Sequence, residues 1–336
     1  MRAYVHALPK VELHLHLVGS APLDSVLELA RRHPDGGVPV DRDDLVRFYE
    51  FTDFTHFITV YGNVSGLVRT GADITTLLVG IARDLAASNA HYAEVTVTAF
   101  DHLKNGMDPA ELAEALTLGR KRALAEHGVI LAWVFDIPAG LERASDETSI
   151  DWVLTYMPEG TVGFGVGGQE AGMPRSSFRR SFDRAREAGL RSVPHAGETV
   201  GPEEIWAAIR DLGAERIGHG VSAVRDQNLL RHLAHEGIPL EVCPTSNLCT
   251  RAVADINSHP LPRLLEAGVP VTLATDDPGM FHTDLNREYL LCHEHLGLTR
   301  GELADIARTG VRSAFCAPEL RDELIARIDA VERSGG

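Results

Sequence analysis

The chain has few cysteines and no long apolar run, and each shortage excludes a class of protein. Its four cysteines among 336 residues form no CxxC pair and are too few for a disulfide scaffold. No stretch approaches the ~18 uninterrupted apolar residues of a membrane-spanning helix. The first residues reach Lys10 and Glu12 too soon for the apolar core of a signal peptide. We therefore expect a cytoplasmic protein without disulfides.

Basic residues are also scarce, which argues against nucleic acid as a partner. Lysine and arginine number 32 against 48 aspartates and glutamates, so the formal net charge is −16. A nucleic-acid-binding protein typically shows a basic patch. With 44% hydrophobic and 24% charged residues, the composition is that of a globular protein. We expect a small-molecule partner and no membrane association, and the sequence does not determine the oligomeric state.

Short apolar runs alternate with helical patterns along the chain, which is typical of α/β proteins. Eight runs are predicted as strands: Val11–Leu17, His91–Ala99, Val129–Ile137, Gly163–Gly167, Arg191–Ala196, Arg216–Gly220, Pro239–Cys243 and Pro270–Thr275. Pro202–Leu212 and Pro318–Arg333 are examples of the predicted helices. Eight strands separated by helices predict a (β/α)8 TIM barrel that residues 1–336 form as one domain. A doubly wound open sheet is the alternative.

The connection between the first two strands is unusually long. It spans about residues 22–90 and contains the helical pattern Leu23–Arg32 and the aromatic-rich segment Phe51–Tyr61. Active sites of barrels form at the C-terminal ends of the strands, so an insertion after a strand lies at that face. We therefore predict a helical insertion. Its aromatic part either forms a lid or pocket wall or packs only a small core of its own.

The first predicted strand contains two histidines at alternate positions, His14 and His16. Because strand side chains alternate, both imidazoles point to the same side, and the leucines around them point to the covering helices. Two imidazoles that project together from a barrel strand form half of a metal site. Such a pair also arises by chance, so it does not decide the question alone.

Further chemistry-bearing residues follow three other predicted strands. His195 and Glu198 lie at the end of the fifth strand, His219 lies at the end of the sixth, and Asp276 and Asp277 lie at the end of the eighth. Because the C-terminal ends of barrel strands converge on one pocket, residues distant in sequence meet there. The full set holds four histidines, two aspartates and one glutamate. These nitrogen and oxygen donors predict a divalent metal, with zinc favoured.

Several of these residues also have a purely structural interpretation. Taken alone, His219 fits a core histidine bonded to a backbone carbonyl. Glu198 and Asp277 fit residues that cap the helices after their strands. We prefer the metal site because one site explains the chemistry-bearing residues at all four strand ends.

Five motifs in chain order resemble those of the adenosine deaminase family, which belongs to the amidohydrolase superfamily of metal-dependent barrels. They are Leu8–His16, His195–Glu198, Arg216–Gly220, Cys243–Asn247 and Thr275–Pro278. The resemblance implies a zinc-dependent barrel that hydrolyses the C–NH2 bond of a 6-aminopurine and releases ammonia. Bound zinc can lower the pKa of water to about 7, which suits attack on an aromatic carbon.

The resemblance also implies roles for individual residues. It implies four zinc ligands: His14, His16, His195 and Asp276. It implies that Glu198 protonates the ring nitrogen beside the reacting carbon and that His219 orients and deprotonates the attacking water. Asp277 is expected to bond the imidazole side of the purine, and the backbone N–H of Gly168 is expected to contact the purine.

The sequence departs from the family at two positions. The family usually has an acid two residues after the second metal histidine, where it contacts the 5′-hydroxyl of ribose, and Val18 stands there instead. Val18 cannot accept a hydrogen bond, so a buried 5′-hydroxyl would stay unpaired at a cost of roughly 1–3 kcal/mol. The family often has aspartate where Gly165 stands, which puts the support of the site by the fourth strand in question.

Val18 favours a nucleoside that carries an apolar group at its 5′ position. The chain resembles the family branch that deaminates aminodeoxyfutalosine, an adenosine-like compound with a 5′ carboxyphenyl ketone, on the futalosine route to menaquinone. Plain adenosine, 5′-methylthioadenosine and 5′-deoxyadenosine are alternatives. From other classes, a phosphoester hydrolase would usually add basic side chains for phosphate. An inactive nucleoside-binding relative would lack a metal ligand or Glu198.

Overall fold

Parallel strands form the centre of the molecule, which a computed structural model describes for residues 1–52, 54–140 and 145–334. The strand segments are β1 (Lys10–His16), β2 (Ala90–Val97), β3 (Ile130–Ala139), β4 (Thr161–Gly168), β5 (Arg191–Ser192), β6 (His195–Ala196), β7 (Ile217–His219), β8 (Leu240–Val242) and β9 (Val271–Leu273). They pair in sequence order as β1-β2-β3-β4-β5 and β6-β7-β8-β9.

Backbone hydrogen bonds join these two sheets into one barrel. β5 and β6 occupy one strand position, because Val193 N donates to Phe164 O at 2.9 Å and Gly218 N donates to Pro194 O at 3.0 Å. At the other seam, Leu15 of β1 pairs in parallel with Asp276, which follows β9. The predicted (β/α)8 barrel is confirmed, and the alternative of an open sheet is wrong.

Helices surround the barrel and build the insertion. In the described ranges the α-helices are α1 (Arg2–Ala7), α2 (Leu23–Arg32), α3 (Arg42–Phe48), α4 (Phe54–Ser65), α5 (Gly71–Ala87), α6 (Ala99–Lys104), α7 (Pro109–His127), α8 (Ser145–Tyr156), α9 (Arg179–Glu187), α10 (Pro202–Leu212), α11 (Gln227–Glu236), α12 (Pro244–Cys249), α13 (Leu261–Glu266), α14 (Pro278–Phe281), α15 (Leu285–Leu296), α16 (Arg300–Ser313) and α17 (Pro318–Ser334). Short 3-10 helices cover Arg175–Phe178, Val221–Arg225 and Ile256–Ser258.

Local signals explain why the predicted helices form where they do. α10 has proline in its first turn and ends at Gly213, whose φ of 65° is the left-handed conformation that closes many helices. α5 begins with a capping box between Thr70 and Asp73. The predicted helices Leu23–Arg32 and Pro202–Leu212 are confirmed with the same bounds.

The insertion between β1 and β2 consists of α2 to α5, and its aromatic part packs beside the end of the barrel. The rings of Phe57 in α4 and Phe281 in α14 have centroids 5.1 Å apart, and Tyr61 lies 6.0 Å from Phe57. Asp53, within the aromatic-rich segment, lies outside the described residues. The interpretation of the aromatic-rich segment as a lid or pocket wall stays a prediction. The assignment of residues 1–336 to one domain also stays a prediction.

None of the helices in the described ranges combines the length and the apolar character that crossing a bilayer requires.

Candidate active site and metal centre

Four side chains meet at the C-terminal end of the barrel. His14 and His16 come from β1, His195 comes from β6, and Asp276 follows β9. Their candidate ligand atoms all lie within 4.8 Å of one another. The ring centroids of His14 and His195 are 4.4 Å apart, and those of His16 and His195 are 5.2 Å apart. The structure therefore brings together the four residues that are predicted to hold the metal.

The polar atoms of this cluster fit a metal ion. In the part of the chain that the structure describes, Nε2 of His14, both ring nitrogens of His195 and Oδ1 of Asp276 are buried without a hydrogen-bond partner. A buried polar atom left unpaired costs about 1–3 kcal/mol. Three imidazoles and one carboxylate are donors that a divalent metal such as zinc accepts. A cation at their centre would satisfy these atoms together.

A chain of buried charges orients His14. Nδ1 of His14 lies 2.9 Å from Oε2 of Glu241, and Nε of Arg216 donates to Oε1 of Glu241 at 2.5 Å. Arg216 also donates through Nη2 to Glu94. Burial would raise the pKa of Glu241, but Arg216 and His14 hold that pKa below its ordinary value. A carboxylate on the second ring nitrogen commonly fixes a metal-binding histidine, and Glu241 leaves Nε2 of His14 for the metal.

Asp276 and His219 are held in an uncommon backbone conformation. Their φ values are 65° and 61°, in the left-handed region that residues other than glycine seldom adopt. Oγ of Ser246 donates to Oδ2 of Asp276 at 2.6 Å, which leaves Oδ1 toward the histidines. Such backbone conformations cluster at functional sites, where surrounding contacts hold them in place.

Glu198 and His219 lie next to each other beside the metal cluster. Oε2 of Glu198 is 3.6 Å from Nε2 of His219. Burial and the Asp276 carboxylate raise the pKa of Glu198 to about 8, and burial lowers the pKa of His219 to about 3. At neutral pH these shifts favour a protonated carboxyl beside a neutral imidazole. This pairing suits proton donation and proton acceptance in one reaction.

The structural interpretations of these residues find no support in the geometry. The N-cap of α10 is Gly201 and not Glu198, and Asp277 precedes α14 without a capping hydrogen bond from its side chain. His219 contacts the side-chain amide of Asn247, whose Nδ2 lies 3.2 Å from Nδ1 of His219. Neither the Glu198 carboxyl nor the Asp277 carboxyl therefore caps the helix that follows it.

The remaining predicted contacts line the same end of the barrel. Asp277 is buried, and burial together with the neighbouring Asp276 raises its pKa. Gly168 ends β4 with an exposed backbone and a φ of 79°. Val18 is buried, and the next residue, Gly19, packs against Asp277. The substrate-binding roles of Asp277, Gly168 and Val18 stay predictions.

Gly19→Ala should impair substrate binding without removing the metal. A Cβ at Gly19 would lie 2.6 Å from the Cβ of Asp277, so Asp277 must shift. Displacement of a positioned group by ~1 Å can cost about 100-fold in rate. We expect kcat/KM to fall by about that factor while metal content stays unchanged. Gly301→Ala is the control, because its nearest atoms would be 3.9 Å away. Equal kinetics of the two variants would contradict the role of Asp277.

The structure also answers the question that Gly165 raises. A Cβ at Gly165 would lie 2.7 Å from the backbone oxygen of Val193, so no side chain fits there without a shift. A carboxylate of the neighbouring strand β3 lies against the end of β4, because Oδ2 of Asp136 would be 2.9 Å from a Cβ at Gly167. Thr98 fixes Asp136 through a hydrogen bond of 2.7 Å. The carboxylate nearest to this end of β4 therefore belongs to β3.

Sequence reasoning assigned no role to Glu241, Asp136 or Glu170. Glu241 and Asp136 are charged residues within otherwise apolar strands, and this is the signal that could have identified them. A carboxylate inside a buried strand is costly unless it is paired, so each requires a partner in the folded chain. Glu170 carries no such signal, because its contacts come from a distant loop.

Comparisons with known proteins agree with this geometry. A model of the adenosine deaminase family matches residues 9–331. The chain is 50% identical over 317 residues to an aminodeoxyfutalosine deaminase of Streptomyces coelicolor, covering 94% of this chain and 82% of that protein. It is 36% identical over 331 residues to an adenine deaminase of Chelativorans sp., covering 97% and 100%. The solved adenine deaminase of Arthrobacter aurescens has a TM-score of 0.92 at 28% identity, covering 97% and 99%.

Proposed function

The chain belongs to the adenosine deaminase family and is a hydrolytic deaminase, and from this premise we propose that it removes the 6-amino group of aminodeoxyfutalosine with the help of zinc. The observation that carries this choice of substrate is the identity of 50% to an aminodeoxyfutalosine deaminase, against 36% to an adenine deaminase. The resident metal is proposed to be zinc because three imidazoles and one carboxylate form its donor set.

The chemistry follows from how the residues are placed. His14, His16, His195 and Asp276 would hold a divalent metal, which when bound would supply the Lewis acidity that makes water nucleophilic near neutral pH. Glu198 delivers a proton to the purine ring nitrogen beside the reacting carbon, which lets the ring accept electron density. His219 orients the attacking water and takes its proton. Asp277 and the backbone N–H of Gly168 hold the purine while ammonia leaves.

Ammonia release from a panel of substrates tests this proposal. The panel contains aminodeoxyfutalosine, adenosine, 5′-methylthioadenosine and adenine, and metal content is measured on the same preparation. We expect aminodeoxyfutalosine to have the highest kcat/KM. Several relatives are adenine deaminases. A higher kcat/KM for adenine than for aminodeoxyfutalosine would therefore favour the adenine deaminase assignment. Release from no member would contradict the deaminase function.

Val18→Asp should shift the substrate preference toward adenosine. An aspartate can accept a hydrogen bond from the 5′-hydroxyl, whereas against an aryl or alkyl group it becomes a costly unpaired charge. An apolar pocket rejects an added hydroxyl by only about 100-fold, so the wild type should keep some adenosine activity. We expect the ratio of kcat/KM for adenosine to that for aminodeoxyfutalosine to rise at least ~10-fold.

Val18→Leu is the matched control for this substitution, because it changes shape and leaves the position apolar. It should keep the preference of the wild type for the 5′-modified compound. An unchanged ratio in Val18→Asp, or a wild type that prefers adenosine outright, would show that Val18 only packs.

A further inference from the structure

Glu170, which follows β4 closely, holds the segment that carries Glu198. Its Oε1 accepts a hydrogen bond from the N–H of Gly197, and its Oε2 accepts one from the N–H of Thr199, both at 2.6 Å. The hydroxyl of Thr199 donates to the same Oε2 at 3.0 Å. One buried carboxylate therefore binds both backbone amides that flank Glu198. Hydrogen bonds to an ionised carboxylate are roughly twice as strong as neutral ones.

Arg175 also binds the segment that carries Glu198. It is fully buried, and its Nε donates to the backbone oxygen of His195 at 2.7 Å. Its Nη2 lies 3.7 Å from Oε1 of Glu170, so the two charges compensate each other inside the protein. The pair holds the chain at His195, Gly197 and Thr199. A metal ligand and the proposed acid thus depend on the same support.

The segment bends at Gly197, where its close packing leaves no space for a side chain. Gly197 has a φ of 71°, and a Cβ there would lie 2.5 Å from Ile205 and from the hydroxyl of Ser222. The carboxyl of Glu198 accepts a hydrogen bond from Thr250 at 2.9 Å, and its Cα position is set by the amides on either side. A change at Glu170 should therefore displace Glu198 and leave the strands of the barrel in place.

We propose that Glu170, supported by Arg175, is a positioning residue that sets the distance between the carboxyl of Glu198 and the purine ring nitrogen. The inference rests on the proposed function, in which Glu198 is the proton donor. Proton transfer needs the two heavy atoms within about 2.6–3.2 Å of each other. Misplacement by ~1 Å can cost about 100-fold, so loss of this support lowers turnover rather than substrate binding.

Glu170→Gln tests the role of the carboxylate. Glutamine keeps one acceptor oxygen and turns an NH2 group toward the other amide, so one of the two hydrogen bonds from backbone amides is lost. On aminodeoxyfutalosine, or on adenosine if the wild type prefers it, we expect kcat to fall by about 10- to 100-fold. KM should change less than ~3-fold. Metal content per chain should stay that of the wild type, whereas a loss of folded protein would lower kcat and metal content together.

A double-mutant cycle with Glu198→Gln tests whether Glu170 affects turnover through Glu198. If Glu170 acts through Glu198, adding Glu170→Gln to the Glu198→Gln enzyme should lower the residual kcat by less than ~3-fold. Glu203→Gln is the matched control. Glu203 is an exposed glutamate in the first turn of α10, and no hydrogen bond to Gly197, Thr199 or Arg175 comes from it among the described residues. We expect Glu203→Gln to keep kcat within ~3-fold of the wild type.

Two outcomes would overturn the inference. One is a wild-type kcat in Glu170→Gln, and the other is an equal loss in the wild-type and Glu198→Gln backgrounds. If Glu170→Gln does not fold, Glu170→Asp carries the same cycle, because it keeps the charge and is too short to reach both amides. A wild type that deaminates no panel compound would contradict the proposed function instead, so the two failures are distinguishable.

Discussion

Glu198→Gln should abolish most turnover while the metal remains bound. Burial and the carboxylate of Asp276 raise the pKa of Glu198 to about 8, which keeps its proton available at neutral pH. Glutamine has nearly the same shape but supplies no acidic proton. General acid catalysis typically contributes about 100- to 10,000-fold, and protonation here also activates the ring. We therefore expect kcat to fall by about 1,000- to 10,000-fold or more.

Steady-state kinetics and metal analysis of the same preparation check this expectation. Glu203→Gln is the control, because Glu203 is an exposed glutamate in the first turn of α10 and its loss should leave kcat unchanged. A fall of less than 10-fold in Glu198→Gln would show that the carboxyl does not serve as the acid.

His16→Ala should remove both the metal and the activity. His16 supplies one of the four candidate ligands, and the cluster then keeps only two imidazoles and one carboxylate. Changes outside the ligand set already cost about 10- to 100-fold in metal affinity, and loss of a ligand itself should cost more. We expect purified His16→Ala to hold little metal and to release no measurable ammonia.

Elemental analysis, together with the ammonia assay, measures both effects. His235→Ala is the control, since the side chain of His235 is 83% exposed and belongs to α11 on the outside of the barrel. It should keep metal and activity. Full activity in a metal-free His16→Ala protein would contradict the assignment of the metal site.

The amino-acid sequence by itself determined the barrel and the main site residues. Alternation in Val11–Leu17 was enough to place His14 and His16 on one side of a strand, because side-chain direction in a strand has a period of two. The count of eight strands followed from apolar runs separated by helical patterns. The other metal-site residues could be predicted because they lie at the C-terminal ends of predicted strands, and these ends must converge in a closed barrel.

Only the tertiary structure decided which side chains support these residues. Arg216 and Glu94 are 122 positions apart, and they meet because the register of β2, β7 and β8 brings them across the barrel interior. Close packing against Val193 leaves no space for a side chain at Gly165, and the carboxylate of Asp136 on β3 lies against Gly167. No local pattern encodes such contacts, because each depends on the packing of segments distant in sequence. The sequence therefore predicted the candidate site residues, and the closed barrel decided which side chains hold them.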